Sequence, residues 1–172
     1  DRRDSVFVSV RNLARECAEG KPPVLLDIRF RTEEHDRHFA YLAGHIPGAI
    51  YVDLQRELAG TPGGIRGNRP LPEISDLQAA ARRWGLCNDS SVVVYDDDTG
   101  LQAGRAWWVL KWAGMASVRM LDGGFDAWMD AGMPVSTDIP EPSPGSVDLS
   151  AGHMPSLGAD EVQAYICNGL LL

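Results

Sequence analysis

Val92-Val93-Val94-Tyr95-Asp96-Asp97-Asp98-Thr99-Gly100 sets a continuous apolar run against an abrupt acidic loop. An apolar run with no polar alternation reads as a strand buried on both faces, as in a parallel sheet. The helical pattern after it, residues 103–113, carries Trp107, Trp108, Leu110 and Trp112, so much of that helix is expected to be buried. Strand, loop and covering helix make one βα unit. Acidic residues just ahead of a helix fit as N-terminal caps.

Working outward, the alternation continues in both directions. Residues 6–8 read as a short first strand, Ser9 as the cap of a helix to about Glu19, and Gly20 as its stop. Val24-Leu25-Leu26-Asp27-Ile28 is a second apolar strand, and Thr32 opens a polar helical stretch over residues 32–42. The turn Gly44-His45-Ile46-Pro47-Gly48-Ala49 feeds a strand at residues 50–52, and a Gly- and Pro-rich loop fills residues 60–72. Ile74, Leu77, Ala80, Ala81 and Trp84 form one stripe of a helix over residues 73–84. Residues 118–121 are the last strand, and Gly123-Gly124 admits a final helix at residues 125–131. Alternating strands and helices predict an α/β fold with helices on both faces of a parallel sheet, its core closing near Pro134-Val135.

Residues 136–155 hold Pro140, Pro142, Pro144 and Pro155 among Ser and Gly, the composition of a linker without periodicity. Beyond it, residues 156–162 start a helix and Leu170-Leu171-Leu172 reads as a strand, echoing the helix and strand of residues 8–27. The echo predicts a tandem duplication interrupted just inside its second copy. The expected organisation is a domain at 5–135, a linker at 136–155 and the start of a second domain at 156–172.

The 172 residues carry a net charge of −8, which argues against a nucleic-acid surface. No run reaches the ~18 apolar residues of a membrane span, and a cytoplasmic address is the default expectation. Arg66-Gly67-Asn68-Arg69 is a basic loop within this acidic chain. Cys17, Cys87 and Cys167 are odd in number and widely spaced, so a disulfide framework or thiolate metal site is not expected, and all three read as buried or half-buried small hydrophobes. Asp27 ends a buried strand and Arg105 opens a buried helix, so the two are expected to form a structural ion pair. His45 is expected to hydrogen-bond its own turn. His35 and His38 have a ligand-like spacing but lie in a charged run best read as a solvated face.

Four segments in this order carry a family resemblance: Leu25-Leu26-Asp27-Ile28-Arg29; Gly44-His45-Ile46-Pro47-Gly48-Ala49; Val94-Tyr95-Asp96 with Arg105-Ala106-Trp107-Trp108; and Leu121-Asp122-Gly123-Gly124-Phe125-Asp126-Ala127-Trp128. Together they resemble the rhodanese family, and within it the non-catalytic first domain of thiosulfate and 3-mercaptopyruvate sulfurtransferases. The resemblance implies a central, mainly parallel five-stranded sheet and a cysteine nucleophile after the fourth strand. Here Asp96 occupies that position. A carboxylate cannot hold sulfane sulfur, so the resemblance implies that the catalytic cysteine belongs to a C-terminal domain outside this chain. It also implies an interdomain cleft faced by Phe30, Leu101 and Gln102, the latter two in the loop after Thr99. Arg69 stands where relatives often put a histidine near the substrate's anionic group. The implied partners are a small anionic sulfur donor, a thiol or cyanide acceptor, and the chain's own second domain, with no metal or other cofactor.

Two alternatives remain open on sequence. One is a freestanding, non-catalytic binding module whose acidic loop docks a partner. The other is a Mg²⁺-dependent phosphatase, because residues 92–99 also resemble the hhhhDxDxT pattern of haloacid-dehalogenase-like enzymes, with Asp96 as nucleophile and Asp98 as general acid/base.

Overall fold

The computed structural model describes residues 3–20, 22–30, 37–64 and 67–167. In chain order the elements are β1 (Phe7–Val8), α1 (Val10–Ala18), β2 (Val24–Arg29), α2 (Arg37–Ala43), β3 (Ile50–Asp53), α3 (Leu54–Glu57), α4 (Ile74–Arg83), β4 (Ser91–Tyr95), α5 (Leu101–Trp112), β5 (Ser117–Leu121), α6 (Gly124–Asp130) and α7 (Ala159–Cys167). The strands form one five-stranded sheet in the order β1-β5-β4-β2-β3, and every neighbouring pair is parallel.

Strand periodicity divides the core into two layers. Leu26, Ile28, Val52, Val92, Val94 and Val118 point to one face, where they pack with Leu54, Leu77, Ala81, Ala106 and Leu110 of α3, α4 and α5. Leu25, Val93, Tyr95 and Leu121 point to the other, against Leu13 of α1 and Phe125 and Trp128 of α6. Successive strand residues alternate in direction, so each apolar strand feeds both layers at once. Burying one such aliphatic side chain is worth about 1.5–3 kcal/mol.

Local chemistry fixes the element ends. Ser9 Oγ accepts from Asn12 N at 3.3 Å to cap α1. Asp53 ends β3 and caps α3 by accepting from Gln55 N at 3.0 Å and Arg56 N at 3.2 Å. That single-turn helix had no periodic stripe in sequence. Helix α5 begins at Leu101, so Leu101 and Gln102 lie on its first turn rather than in the preceding loop. Residues 31–36, most of the charged run that includes His35, fall outside the described residues, and α2 starts at Arg37.

The core does not close at Val135. Val147, within the stretch read as a linker, is 1% exposed and joins the α4–α5 layer, with Leu149 and Met154 packed against it. Helix α7 has no buried residue, and Cys167 on it is exposed rather than buried. The strand expected at residues 170–172 lies outside the described residues. Among the described residues no helix is long and apolar enough to cross a membrane.

Helix α1 is tied to β5 by a two-pronged ion pair: Arg119 Nη1 and Nη2 donate to Glu16 Oε1 and Oε2 at 2.9 and 2.7 Å. The hydrogen bonds from Arg119 hold the Glu16 carboxyl below its ordinary value of 4.5, although partial burial opposes them. A depressed carboxyl contributes stability that is complete above 4.5 and is lost as pH falls through the folded-state value. Glu16→Gln should therefore lower stability at pH 7 and flatten its acid dependence. Urea unfolding at pH 7 and at acidic pH checks this, and an unchanged acid slope refutes it.

Candidate functional site

The carboxyl ends of parallel strands gather the loops of an α/β sheet, and here β4 delivers Asp96 to that edge. Asp96 is 1% exposed. Its Oδ1 accepts from Asp98 N at 3.2 Å and Gly100 N at 3.0 Å, and its Oδ2 accepts from Ala103 N at 2.9 Å. Three amides of the loop and of the first turn of α5 thus converge on one carboxylate, where the positive end of the helix dipole also favours an anion. The Asp96 carbonyl accepts from Phe125 N at 2.9 Å. That contact explains Gly124: a Cβ there would lie 2.7 Å from the same carbonyl oxygen.

Beneath this loop lies a buried charge network. Arg29, 1% exposed, clasps Asp27: its Nε pairs with Oδ1, and its Nη2 donates to Oδ2 at 2.8 Å. Its Nη1 pairs with Asp97 Oδ2, joining β2 to the acidic loop. The guanidinium also sits 5.6 Å from the centre of the Phe125 ring. Burial opposes the charge on Arg29, but Asp27 and Asp97 outweigh it and hold the guanidinium protonated. Burial pushes the Asp27 carboxyl up, and Arg29 and the Tyr95 hydroxyl work against that push. The Tyr95 phenol is raised well above its ordinary value by burial and by the Asp27 charge, and its oxygen accepts from Ile46 N at 3.1 Å.

The expected Asp27–Arg105 pair does not form. Leu26 and Ile28 face α5, so Asp27 between them faces the opposite layer, and Arg105 on α5 lies across the sheet. Arg29, two residues on, shares the Asp27 face. The i, i+2 spacing of Asp27 and Arg29 was the available clue. Arg105 instead donates to backbone carbonyls: to Leu58 O at 3.2 and 3.1 Å, Arg69 O at 3.3 Å and Pro70 O at 2.9 Å. It clamps both ends of the 58–70 loop onto α5. Burial, and then the neighbouring Arg69 charge, lower its pKa.

The clamp fixes Arg69, one of the four expected cleft residues, beside a second, Phe30. Arg69 is exposed, and its guanidinium lies 4.3 Å from the centre of the Phe30 ring. Leu101 is 74% exposed at the start of α5. Gln102 beside it is half-buried, and among the described residues its Oε1 has no hydrogen-bond partner. Arg66 of the basic loop lies outside the described residues. His45 is buried, its Nδ1 2.8 Å from Tyr41 O and its Nε2 2.9 Å from Asp138 O, so it stitches the turn to the segment after α6. His38 packs its ring on Tyr51 at 4.6 Å.

Three amides and near-complete burial give the Asp96 carboxylate a structural place in this arrangement and leave it little access to a substrate. A 290 Å³ cavity at the loop is lined by Asp96, Asp98 and Asp122, together with Phe7 and Gly123, and its acidic wall repels anions such as thiosulfate. Among the described residues no group of three or more His, Cys, Asp or Glu side chains is placed to hold a metal. The geometry therefore lends no support to a Mg²⁺-dependent phosphatase.

The family model described as Rhodanese-like domain matches residues 9–131. Two relatives carry provisional sulfurtransferase names. SseB of Mycobacterium tuberculosis, so named for thiosulfate, is 44% identical over 167 residues, covering 94% of this chain and 59% of that protein. A Pseudomonas aeruginosa protein, so named for 3-mercaptopyruvate, is 42% identical over 143 residues, covering 81% of this chain and 50% of its own length. The chain thus spans between half and three-fifths of the length of these relatives. The crystal structure of SseA from Escherichia coli, described as a 3-mercaptopyruvate sulfotransferase, superposes with a TM-score of 0.82 over 96% of this chain and 63% of that one. At 24% identity that match speaks for the fold.

Two substitutions test the loop's construction. Asp96→Ala strands three amides and should cost about 1–3 kcal/mol. Arg29→Met leaves two carboxylates beside an apolar side chain and should cost more, about 3–5 kcal/mol. Urea denaturation measures both. A loss under about 0.5 kcal/mol for Asp96→Ala, the range of an ordinary surface change, rejects the capping role.

Proposed function

The chain belongs to the rhodanese-like domain family, and on that footing we propose that it is the amino-terminal, nucleophile-free half of a tandem sulfurtransferase. In this reading residues 5–135 are the inactive copy, residues 136–155 connect it, and residues 156–172 open a second rhodanese domain that carries the cysteine. The complete protein moves sulfane sulfur from thiosulfate or 3-mercaptopyruvate to cyanide or a thiol. With thiosulfate, the cysteine thiolate attacks the outer sulfur, a sulfur–sulfur bond forms, and the bond to the sulfite group breaks. A cytoplasmic setting, where thiols stay reduced, belongs to the same reading.

The observation that carries the proposal is the occupied loop. Converging amides ahead of a helix would lower a thiol's pKa and hold a thiolate or persulfide. Here the Asp96 carboxylate already accepts those amides, and a carboxylate has no sulfur chemistry. The greater length of the sulfurtransferase relatives supports a second domain as the site of the nucleophile. This half would contribute a wall of the cleft, with Arg69 held over Phe30 as an anion-binding group and Leu101 and Gln102 at the mouth of α5. A guanidinium can grip a sulfonate or carboxylate oxygen pair by charge and two hydrogen bonds.

The 172-residue chain should form no thiocyanate from thiosulfate and cyanide, whereas the protein with its second domain should; turnover by the short chain rejects the proposal. In the long protein, Arg69→Ala should raise KM for the anionic donor about tenfold, the loss of one charge-assisted contact, with a smaller change in kcat. An unchanged KM removes Arg69 from the substrate site.

A further inference from the structure

Residues 143–154 lack regular secondary structure, yet their backbone is fastened to the domain along its length. Gly145 N donates to Arg82 O at 2.8 Å and Val147 N to Leu86 O at 3.0 Å, both at the carboxyl end of α4 and its following turn. Ser150 N donates to Ala113 O at 3.1 Å and His153 N to Trp112 O at 3.0 Å, both at the carboxyl end of α5. The last carbonyls of a helix have no partner within it, and an extended segment crossing two helix ends can satisfy both sets. Side chains reinforce the crossing. Arg82 donates to Val147 O at 2.9 Å and to Asp148 Oδ1 at 2.7 Å. Gln78 Oε1 accepts from Leu149 N and Asn88 Oδ1 from Asp148 N, each at 2.8 Å.

One side chain of the segment enters the core. Val147 is buried in the layer of Trp84, Leu86, Trp112 and Ala113, and Leu149 and Met154 pack against that layer. Gly145 passes so near the turn after α4 that a Cβ would lie 2.0 Å from Leu86 O. A free tether has no reason to exclude a side chain there.

We infer that residues 143–154 are a strap that closes the carboxyl ends of α4 and α5 and unfolds only with the domain. The segment whose Pro, Ser and Gly content suggests a flexible linker is on this account a fixed part of the fold, beyond the 9–131 span of the family match. Helix α7 then leaves the domain from an anchored point near Met154. The further consequence, that a second domain would not swing freely on this segment, rests on the tandem reading above; the strap itself does not.

Hydrogen exchange on the 172-residue chain tests the strap independently of any activity. The amides of Gly145, Val147, Ser150 and His153 should exchange at least about 100-fold more slowly than in an unstructured peptide, in the same class as α4 and α5. Exchange within about tenfold of peptide rates, while α4 and α5 stay protected, overturns the inference, because a tether opens without the domain. Gly145→Ala should lift the strap, lower protection across residues 145–153 by about tenfold or more and admit protease cleavage there, while Glu141→Gln at an exposed position changes neither. Unchanged protection in folded Gly145→Ala also overturns it. Should that variant fail to fold, the wild-type exchange pattern still decides. Failure of the tandem reading would show instead as absence of sulfur transfer by the longer protein, with strap protection intact.

Discussion

A guanidinium buried beneath the end of a parallel sheet imposes a strict condition on everything around it. Arg29 is 1% exposed, and a charge so placed is tolerable only if carboxylates meet it with good geometry. Asp27 meets it within its own strand, and Asp97 meets it from the loop after β4. The second contact is the consequential one, because it ties that loop to β2. With Asp97 directed down toward Arg29, the neighbouring Asp96 turns its carboxylate into the amides of α5. The shape of the loop, and therefore what it can bind, follows from balancing one buried cation.

The main fold was legible because it depends on periodicity. Apolar runs at Val24–Ile28 and Val92–Tyr95 can be satisfied in one way, between two layers of helices, and the Ile74–Trp84 stripe names one of those helices. The charge pairing obeys the same periodicity. Asp27 and Arg105 match in chemical type, but strand parity puts them on opposite faces and gives Asp27 to Arg29. The alternation that places Leu26 and Ile28 on one face places the polar residue between them, and its partner Arg29, on the other.

Other features had no such trace. Arg105 binds carbonyl oxygens of Leu58, Arg69 and Pro70, and a backbone acceptor has no residue type by which sequence can announce it. The docked course of residues 143–154 was hidden for the same reason. Its ties run mostly through main-chain groups, and Val147 and Leu149 make too short an apolar pattern among Pro, Ser and Gly to announce an element. Composition reports what a segment cannot do by itself. It is silent on whether two helix ends nearby leave carbonyls waiting for a partner.

The same reasoning explains why an aspartate, rather than a neutral residue, can stand at position 96. Three amides and a helix N-terminus make a cradle whose donors, the buried Ala103 N above all, call for an acceptor. A thiolate could meet them as an anion; alanine or valine could not, and would leave the donors without acceptors. A carboxylate supplies the anion without the sulfur. A carboxylate at this position holds the loop and the start of α5 together beside the Asp97–Arg29 tie, and on the proposed reading it leaves out the sulfur on which transfer depends. Structure and chemistry at this position are therefore separable: the amides of the cradle need an acceptor, and the identity of the accepting atom decides what chemistry it can do.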